Sequence, residues 1–246
     1  MIILMMENNS IVQWNCNGFP SSRIDDLDSI FCEFRPSVLC LNHTNFHMDK
    51  YHSIRGFEGL HYFIPDYSNI GGVSMYIRSA VRYNQVNLTT NLQCLAVTIS
   101  LGCVFTICTL YVPPSYDLSY EDVSGLIDQL PRPFIVVGDI NARSVAWDNC
   151  TNSNGRIVED IIDHYGLGIL NDNRPTFISG AHLGSFSTLD IAFCSPSLLH
   201  FLWDTVEDTY SSDHFPTRIS FPHEYYNHAS KLNIKKLTGR NSIFSA

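Results

Sequence analysis

The most constraining feature of this sequence is an excess of strand-like runs over helical patterns. Short apolar runs rich in β-branched and aromatic residues recur at 11–16, 37–41, 60–64, 72–77, 94–100, 103–112, 134–138, 187–194 and 217–221. Helical spacing of apolar residues is confined to 22–34, 119–130 and 155–165. Because so many strands can bury their apolar faces only by packing in layers, the pattern predicts an α/β fold in which two packed sheets are flanked by helices.

Two local signals refine this prediction. Leu101 and Gly102 separate the runs 94–100 and 103–112, which predicts a hairpin. Ser119 is followed three residues later by Asp122, close to the pattern of a capping box at the start of a helix. The chain has 246 residues, enough for one large domain, which we assign to 1–223. Residues 224–246 lose the apolar pattern and are basic, so we expect a linker or a truncated tail there.

The composition bears on location and partners. None of the eight cysteines forms a CxxC pair, and most lie in apolar runs such as CVFTIC and IAFC, as reduced core thiols do. We therefore expect an intracellular protein. No apolar run is long enough for a transmembrane helix, so no membrane partner is expected. The net charge of −9 at pH 7 counts against a large non-specific nucleic-acid surface.

Polar clusters recur where the apolar runs end. They are WNCNG (14–18), NHT (42–44), YVPP (111–114), GDIN (138–141), STLD (187–190) and SSDH (211–214). Ligands of α/β sheets bind in the crevice at the carboxyl ends of the strands. We therefore expect the six clusters to converge on one cleft.

Three of the clusters contain acids that suggest catalysis. Asp139 in Gly-Asp-x-Asn could belong to a simple turn, or it could be an ionised carboxylate that orients a water together with Asn141. Asp213 and His214 could lie in a polar loop, or they could form an acid/base or anion-binding pair. Asp190 interrupts an apolar strand, where a carboxylate is costly unless it has a partner. We expect His214 to be that partner.

Other chemistries find little support. The sequence has no P-loop, no GxGxxG before a helix, no HExxH and no GxSxG. His43 and His47 have the spacing of a zinc pair on one helical face, but no supporting Cys or Glu ligands accompany them.

Taken in order, the clusters resemble the motifs of the endonuclease/exonuclease/phosphatase superfamily, which has the DNase I-like fold. That pattern runs W-N-x-x-G, Q-E-T, Y-x-P, G-D-x-N, a later Asp and S-D-H, and the resemblance covers about 11–221. GDINARSVAWDN, NGRIVEDII, LGILNDNRPTF and STLDIAFCSPSL are similar to the endonuclease domain of non-LTR (LINE-type) retrotransposons. The resemblance implies a four-layer α/β/β/α sandwich of two mixed sheets. It further implies a nuclear, metal-dependent phosphodiester hydrolase that nicks DNA and precedes a reverse transcriptase, which this chain does not contain.

The resemblance also assigns roles. The catalytic residues would be Tyr111, Asp139, Asn141, Asp190 and His214. The residues of the metal site would be Asn15, Asn17, His43 and Asp213. The residues contacting the substrate phosphate would be Asn15, Tyr111, Asn141 and His214. In this scheme Asp139 orients or deprotonates the attacking water, and Asp190 fixes the imidazole of His214.

One position departs from the family pattern. Where the family has Q-E-T, this chain has Asn42-His43-Thr44, so an imidazole replaces the expected metal-binding carboxylate. The resemblance implies Mg²⁺ as the cofactor, with Mn²⁺ as a possible or preferred replacement. Because Mg²⁺ prefers oxygen ligands, we expect weakened Mg²⁺ binding and reduced activity. The alternative is a catalytically inactive relic that keeps the fold and weak nucleic-acid binding. A third interpretation is another enzyme of the superfamily, such as a phosphoinositide phosphatase or a sphingomyelinase.

Overall fold

A computed structural model describes residues 9–19, 23–64, 71–180 and 184–221. The predicted tail at 224–246 lies outside the described residues. The first sheet has the strand order β13-β14-β1-β2-β4-β3. Its strands are β1 (Ser10–Asn15), β2 (Val38–Asn42), β3 (Phe57–Tyr62), β4 (Val73–Arg78), β13 (Leu202–Thr205) and β14 (Thr217–Ser220).

The second sheet has the strand order β5-β6-β7-β8-β12-β9. Its strands are β5 (Tyr83–Val86), β6 (Gln93–Leu101), β7 (Cys103–Tyr111), β8 (Phe134–Asp139), β9 (Gly168–Ile169) and β12 (Asp190–Cys194). A separate two-stranded ribbon pairs β10 (Phe177–Ile178) with β11 (Phe186–Ser187). Each large sheet is mixed, because β1 runs parallel to β2 and β7 runs parallel to β8, while the other pairs are antiparallel.

Among the described residues, three α-helices cover the outer faces: α1 (Ile24–Phe34), α2 (Tyr120–Ile127) and α3 (Ser153–Tyr165). The capping box is confirmed, since the Ser119 hydroxyl accepts from the Asp122 N–H at 3.1 Å and the Asp122 carboxylate accepts from the Ser119 N–H at 3.1 Å. Helix α3 begins at Ser153, two residues before its apolar pattern, because Asn152 caps it. In the described part of the chain, no helix is long and apolar enough to cross a membrane.

Alternation along the strands builds the layers. In β1, Ile11 packs in the core between the two sheets, whereas Val12 packs on the opposite face with Leu27 and Ile30 of α1. In β8, Val137 faces the inter-sheet core and Val136 faces α2 and α3. The central strands are therefore buried on both faces, which is why they read as continuous apolar runs. The predicted four-layer sandwich is confirmed.

One strand prediction needs correction. The run 187–194 was expected to be one strand, but β11 ends at Ser187 and β12 begins at Asp190. The backbone N–H groups of Leu189 and Asp190 both donate to the Thr176 hydroxyl at 3.0 Å, so this stretch leaves the ladder. The predicted hairpin is confirmed, with Gly102 alone between β6 and β7. The strands β5, β9, β10 and β13 were not predicted.

Gly138 illustrates how tightly β8 is packed. Its φ is +151°, and a Cβ built there would lie 1.8 Å from the Leu110 carbonyl oxygen of β7. We expect Gly138→Ala to lower the free energy of unfolding by about 3 kcal/mol or more, since the backbone of a central strand must move. Urea denaturation measures the loss. Gly125→Ala on the exposed face of α2 is the control, because nothing lies within 4 Å of its Cβ and alanine favours helix. Equal shifts in both variants would contradict this account.

Candidate active site

The strand ends of both sheets meet at a cleft of about 740 Å³. Asn15 and Asn42 close the parallel pair β1–β2, while Tyr111 and Asp139 close β7 and β8. Eight of the nine residues assigned roles by the sequence line this cleft: Asn15, Asn17, His43, Tyr111, Asp139, Asn141, Asp213 and His214. The ninth, Asp190, lies directly behind it, opposite Asp139 in the register of β8 and β12. The predicted convergence of the six clusters is therefore found, whereas the roles of these residues remain predictions.

Asp139 is buried at the base of the cleft, with 2% of its surface exposed. The Asn15 side-chain amide donates to its Oδ2 at 2.7 Å, and the backbone N–H of Asn141 donates to its Oδ1 at 3.1 Å. Asn141 adopts φ +48° and donates its own side-chain amide to the Val112 carbonyl at 2.9 Å. The carboxylate is thus held in one orientation by donors from both sheets.

His214 is the neighbour of Asp139. Its Nδ1 lies 2.7 Å from Asp190 Oδ2, and its Nε2 lies 3.8 Å from Asp139 Oδ2. The indole N–H of Trp14 donates to the His214 carbonyl at 3.2 Å, and the Phe177 ring packs 4.8 Å from the imidazole. The ring is therefore fixed with Nε2 directed toward the cleft and Nδ1 directed toward the buried carboxylate.

The charges of this cluster determine its protonation. Burial alone would lower the pKa of His214, but the carboxylates of Asp190, Asp139 and Asp213 outweigh it and raise that pKa to about 9. Burial raises the pKa of Asp139 well above its ordinary value, against the lowering effect of His214. At neutral pH the imidazole is therefore a cation, whose Nε2–H lies close to Asn15 and Asp139 at the cleft. The carboxyl group beside it is easily protonated.

The raised pKa of His214 has a consequence for stability. Between its ordinary value of 6.5 and the folded value of about 9, the folded state holds a proton that the unfolded state has lost. The stabilisation is complete below about pH 6.5 and disappears as the pH rises through 9. We expect the free energy of unfolding to fall by up to about 3 kcal/mol from this source. Urea denaturation between pH 6 and 10 measures it. Asp190→Asn should flatten the dependence, and an equally steep fall in that variant would contradict the assignment.

A buried amide bridge that the sequence prediction missed links the two sheets behind the cleft. The Gln13 side chain donates to Asp190 Oδ1 at 2.7 Å and to Asn42 Oδ1 at 2.9 Å, while its own oxygen accepts from the Thr217 hydroxyl at 2.9 Å. Asn42 Oδ1 also accepts from the backbone N–H of Asp139 at 3.1 Å. The bridge thus positions both carboxylates of the cluster.

A signal for this bridge is present in the sequence. Gln13 interrupts the apolar run IVQWNC, and Asn42 ends VLCLN. Gln13 is 2% exposed and Asn42 is 0% exposed, and polar groups are buried in this way only when they are hydrogen-bonded. A polar residue inside a strand that is buried on both faces therefore points to a partner in the site.

His43 follows β2 with φ +54° and is half-buried. Its ring stacks on Tyr111, with centroids 5.4 Å apart and an interplanar angle of 21°. Burial lowers the pKa of His43, and the positive charge of His214 lowers it further, so the imidazole is neutral. Burial also raises the pKa of Tyr111, which remains a neutral phenol. A neutral ring thus occupies the position where the family pattern has a carboxylate.

The donor set does not fit a Mg²⁺ site formed by protein ligands alone. Within the described ranges, no three His, Cys, Asp or Glu side chains gather closely enough to hold a metal ion. Asn17 donates its side-chain amide to Asp213 Oδ1 at 3.2 Å, and its backbone N–H donates to Asn15 Oδ1 at 2.8 Å. With Asp139, the acceptors at the cleft are thus two carboxylates, amide oxygens and the His43 imidazole. Mg²⁺ demands oxygen ligands in near-octahedral geometry, whereas imidazole suits transition-metal ions.

Comparisons with known proteins identify relatives of this chain. A family model described as Endonuclease-reverse transcriptase matches residues 105–218. The chain is 25% identical over 209 residues to the RNA-directed DNA polymerase from mobile element jockey of Drosophila melanogaster, a match that covers 82% of this chain and 22% of that protein. It is 24% identical over 216 residues to a probable RNA-directed DNA polymerase from transposon BS of the same species, covering 85% and 24%. The chain therefore spans about a quarter of the length of these relatives.

A solved structure shares the fold. The endonuclease domain of TRAS1, a telomere-specific non-LTR retrotransposon, superimposes with a TM-score of 0.72 at 21% identity, covering 87% of this chain and 98% of that one. The resemblance to the endonuclease/exonuclease/phosphatase superfamily predicted from the motifs is confirmed. The chain therefore has the DNase I-like fold, and its residues 105–218 are similar to the family described as Endonuclease-reverse transcriptase.

Proposed function

We propose that this domain hydrolyses a phosphodiester bond of DNA and so introduces a nick into one strand. The observation that carries the proposal is the pairing of Asp139 with His214, 3.8 Å apart at the base of the cleft. One is an acceptor held by amide donors, and the other is a cationic donor held by Asp190. A proton acceptor and an anion-binding donor side by side are what in-line attack of water on a phosphodiester requires.

In this proposal, Asp139 orients the attacking water and accepts its proton. Its pKa is raised by burial, which brings the carboxylate closer to the range where it accepts a proton at neutral pH. Asn15 and Asn141 fix the carboxylate, so the water it holds is directed at the phosphorus without further rearrangement. The position of the leaving oxygen would lie on the opposite side of the phosphorus.

His214 and Tyr111 would donate hydrogen bonds to the substrate phosphate. The Nε2–H of the imidazolium and the phenol O–H both line the cleft, and both are donors at neutral pH. Donors that are fixed before the reaction stabilise the charge that develops on the non-bridging oxygens. Asp190 acts through His214, since it keeps Nδ1 occupied and Nε2 directed at the substrate.

Dependence on a divalent cation is part of the proposal. Since the donor set fits Mg²⁺ poorly, we expect Mn²⁺ to support faster nicking than Mg²⁺. The cation site would be completed by the substrate phosphate rather than by the protein alone. As in the retrotransposon relatives that carry an RNA-directed DNA polymerase, we propose that a reverse transcriptase belongs to the same element and that the endonuclease acts on nuclear DNA.

A second candidate is a catalytically inactive domain that retains the fold and weak nucleic-acid binding. The observation that favours it is His43, a neutral ring stacked on Tyr111 at the position of the family's metal-binding carboxylate. The cluster of Asp139, Asp190 and His214 favours the active enzyme, because Asp139 lies at the cleft with its pKa raised by burial, and such perturbed groups cluster at catalytic sites.

Conversion of supercoiled plasmid to the open circle tests the proposal. The purified domain is incubated with Mn²⁺, with Mg²⁺ or with EDTA, and the products are separated by electrophoresis. We expect open circles with Mn²⁺, fewer with Mg²⁺ and none with EDTA. Absence of nicking in both metals would overturn the proposal for this chain and support the inactive domain.

A further inference from the structure

A second cavity of about 420 Å³ adjoins the catalytic cleft. The same two loops line both. After β1, Asn17 faces the cleft and Gly18 faces the second cavity, and after β2, His43 faces the cleft and Thr44 faces the second cavity. The second cavity, which we call the aromatic pocket, is therefore bounded by residues adjacent in sequence to those that line the cleft.

Five rings line the aromatic pocket: Phe19, Phe46, His47, Tyr51 and His52. Phe19 contacts Phe46 edge to face with centroids 5.8 Å apart, and it lies 6.0 Å from His52 at an angle of 34°. Phe46 is 4% exposed and forms part of the pocket's buried wall, whereas Tyr51 is 51% exposed. The pocket thus combines a buried aromatic wall with a ring that is accessible from solvent.

Tyr51 is held in position despite its exposure. Its ring lies 4.8 Å from that of His61 in β3 and 5.6 Å from that of Phe63, just after β3. An aromatic side chain that leaves half its surface in water while packed along one side presents a fixed π face to a ligand. Flat, unsaturated rings are the ligands that bind such a face.

The charge of the aromatic pocket differs from that of the whole chain. The chain carries a net charge of −9, yet the described residues that line the pocket include Lys50 and no Asp or Glu. A cation beside stacked rings attracts a ligand that has both a flat ring and a negative charge. A nucleotide has both, and a volume of 420 Å³ lies within the range of small-ligand sites.

We propose that the aromatic pocket binds an unpaired nucleobase of the DNA strand, stacked against Tyr51 and Phe19, with Lys50 contacting the adjoining phosphate. The inference rests on the proposed function, because it assumes that DNA occupies the cleft. A paired base inside a duplex cannot reach the pocket, since its faces are covered by its neighbours. The pocket therefore gives the domain a preference for DNA in which a nucleotide near the scissile bond is unpaired.

Binding in EDTA tests the inference without cleavage. Three probes are used: a single strand with one 2-aminopurine, the matched duplex, and the same duplex with that nucleotide unpaired. We expect the protein to quench 2-aminopurine and to bind the single strand and the unpaired duplex more tightly than the paired duplex. Tyr51→Leu should weaken binding of the unpaired probes by about five- to hundredfold, the effect of losing one stacked base, and should remove the quenching.

Two further variants separate stacking from charge. Lys50→Gln should weaken binding of all three probes to a similar extent, while the quenching persists. It should also reduce the slope of the logarithm of the binding constant against the logarithm of salt concentration by about one. Tyr83→Leu, on β5 at the far edge of the second sheet, is the matched control and should change neither affinity nor quenching. Equal affinity of Tyr51→Leu and the unaltered protein for the unpaired probes would overturn the inference.

The outcomes distinguish this inference from the proposed function. If plasmid is not nicked but the Tyr51-dependent quenching is observed, the aromatic pocket stands and the hydrolase proposal fails. If plasmid is nicked and Tyr51→Leu changes neither binding nor quenching, the hydrolase stands and the pocket inference fails. If no probe binds at any concentration tested, the pocket inference is overturned, whereas the hydrolase proposal is decided by plasmid nicking alone.

Discussion

Asp139→Asn should lower the rate of plasmid nicking by about a thousandfold or more, within the range expected for loss of a general base. The replacement keeps the size of the side chain but removes the acceptor that would take a proton from water. It also places an amide against the donors of Asn15 and Asn141, which now approach a group that can accept from only one side. The rate is measured as open circles formed per unit time in Mn²⁺.

Loss of activity in this variant must be separated from loss of folding. Because burial disfavours the charged form of Asp139, we expect Asp139→Asn to keep the free energy of unfolding unchanged or to raise it at pH 8. Asp163→Asn on the exposed face of α3 is the matched control and should nick normally. An Asp139→Asn variant that is fully folded and nicks at the unaltered rate would refute the role assigned to this carboxylate.

Much of the fold could be predicted because burial leaves a direct trace in the sequence. Strands β1, β2, β7 and β8 are buried on both faces, so each reads as a nearly unbroken apolar run. The helices carry their apolar residues at helical spacing and, in α2, a capping box. The order of polar clusters at the strand ends then predicted where the site would be.

The strands that were not predicted lack such an unbroken apolar run. Strand β5 reads YNQV and β13 reads LWDT; both lie at sheet edges, where exposed positions are polar and the apolar run is broken. The run 187–194 is interrupted by Thr176, a residue that lies outside it in the sequence. The Thr176 hydroxyl accepts hydrogen bonds from the backbone N–H groups of Leu189 and Asp190. Such an effect depends on a residue that only the folded chain brings near.

The same limit applies to the site. The sequence named nine residues that the fold gathers at or directly behind one cleft, but it did not reveal that Gln13 connects Asn42 with Asp190. Gln13 and Asp190 are 177 positions apart in the chain. Nor could it show that His43 stacks on Tyr111, which depends on the positive φ of His43 and on the end of a strand in the other sheet.

His43→Glu should increase Mg²⁺-dependent nicking by about ten- to a hundredfold, comparable to the effects of altering a metal site's surroundings. The substitution adds a carboxylate oxygen at the cleft, next to Asp213, and restores the ligand type that Mg²⁺ prefers. The stacking on Tyr111 is lost, and we expect the preference for Mn²⁺ to be lost with it. The backbone at this position has a φ of +54°, which His adopts more readily than Glu, so the substitution adds some backbone strain.

The controls decide what a gain would mean. His43→Gln has a similar length without charge and should not raise Mg²⁺-dependent nicking, whereas His47→Glu adds the same charge in the neighbouring aromatic pocket and should not raise it either. Calorimetric titration of Mg²⁺ into each variant supplies a measure that does not depend on activity.

Suppose His43→Glu binds Mg²⁺ and nicks while the unaltered chain nicks in no metal. The His43 imidazole is then the change that inactivated an otherwise complete site. Suppose instead that the unaltered chain nicks in Mn²⁺ and His43→Glu exchanges that preference for Mg²⁺. His43 is then a metal-selecting residue of a working enzyme. A His43→Glu variant that neither binds Mg²⁺ more tightly nor nicks faster would refute both readings of this position, because a carboxylate at the cleft would then contribute nothing to the metal site.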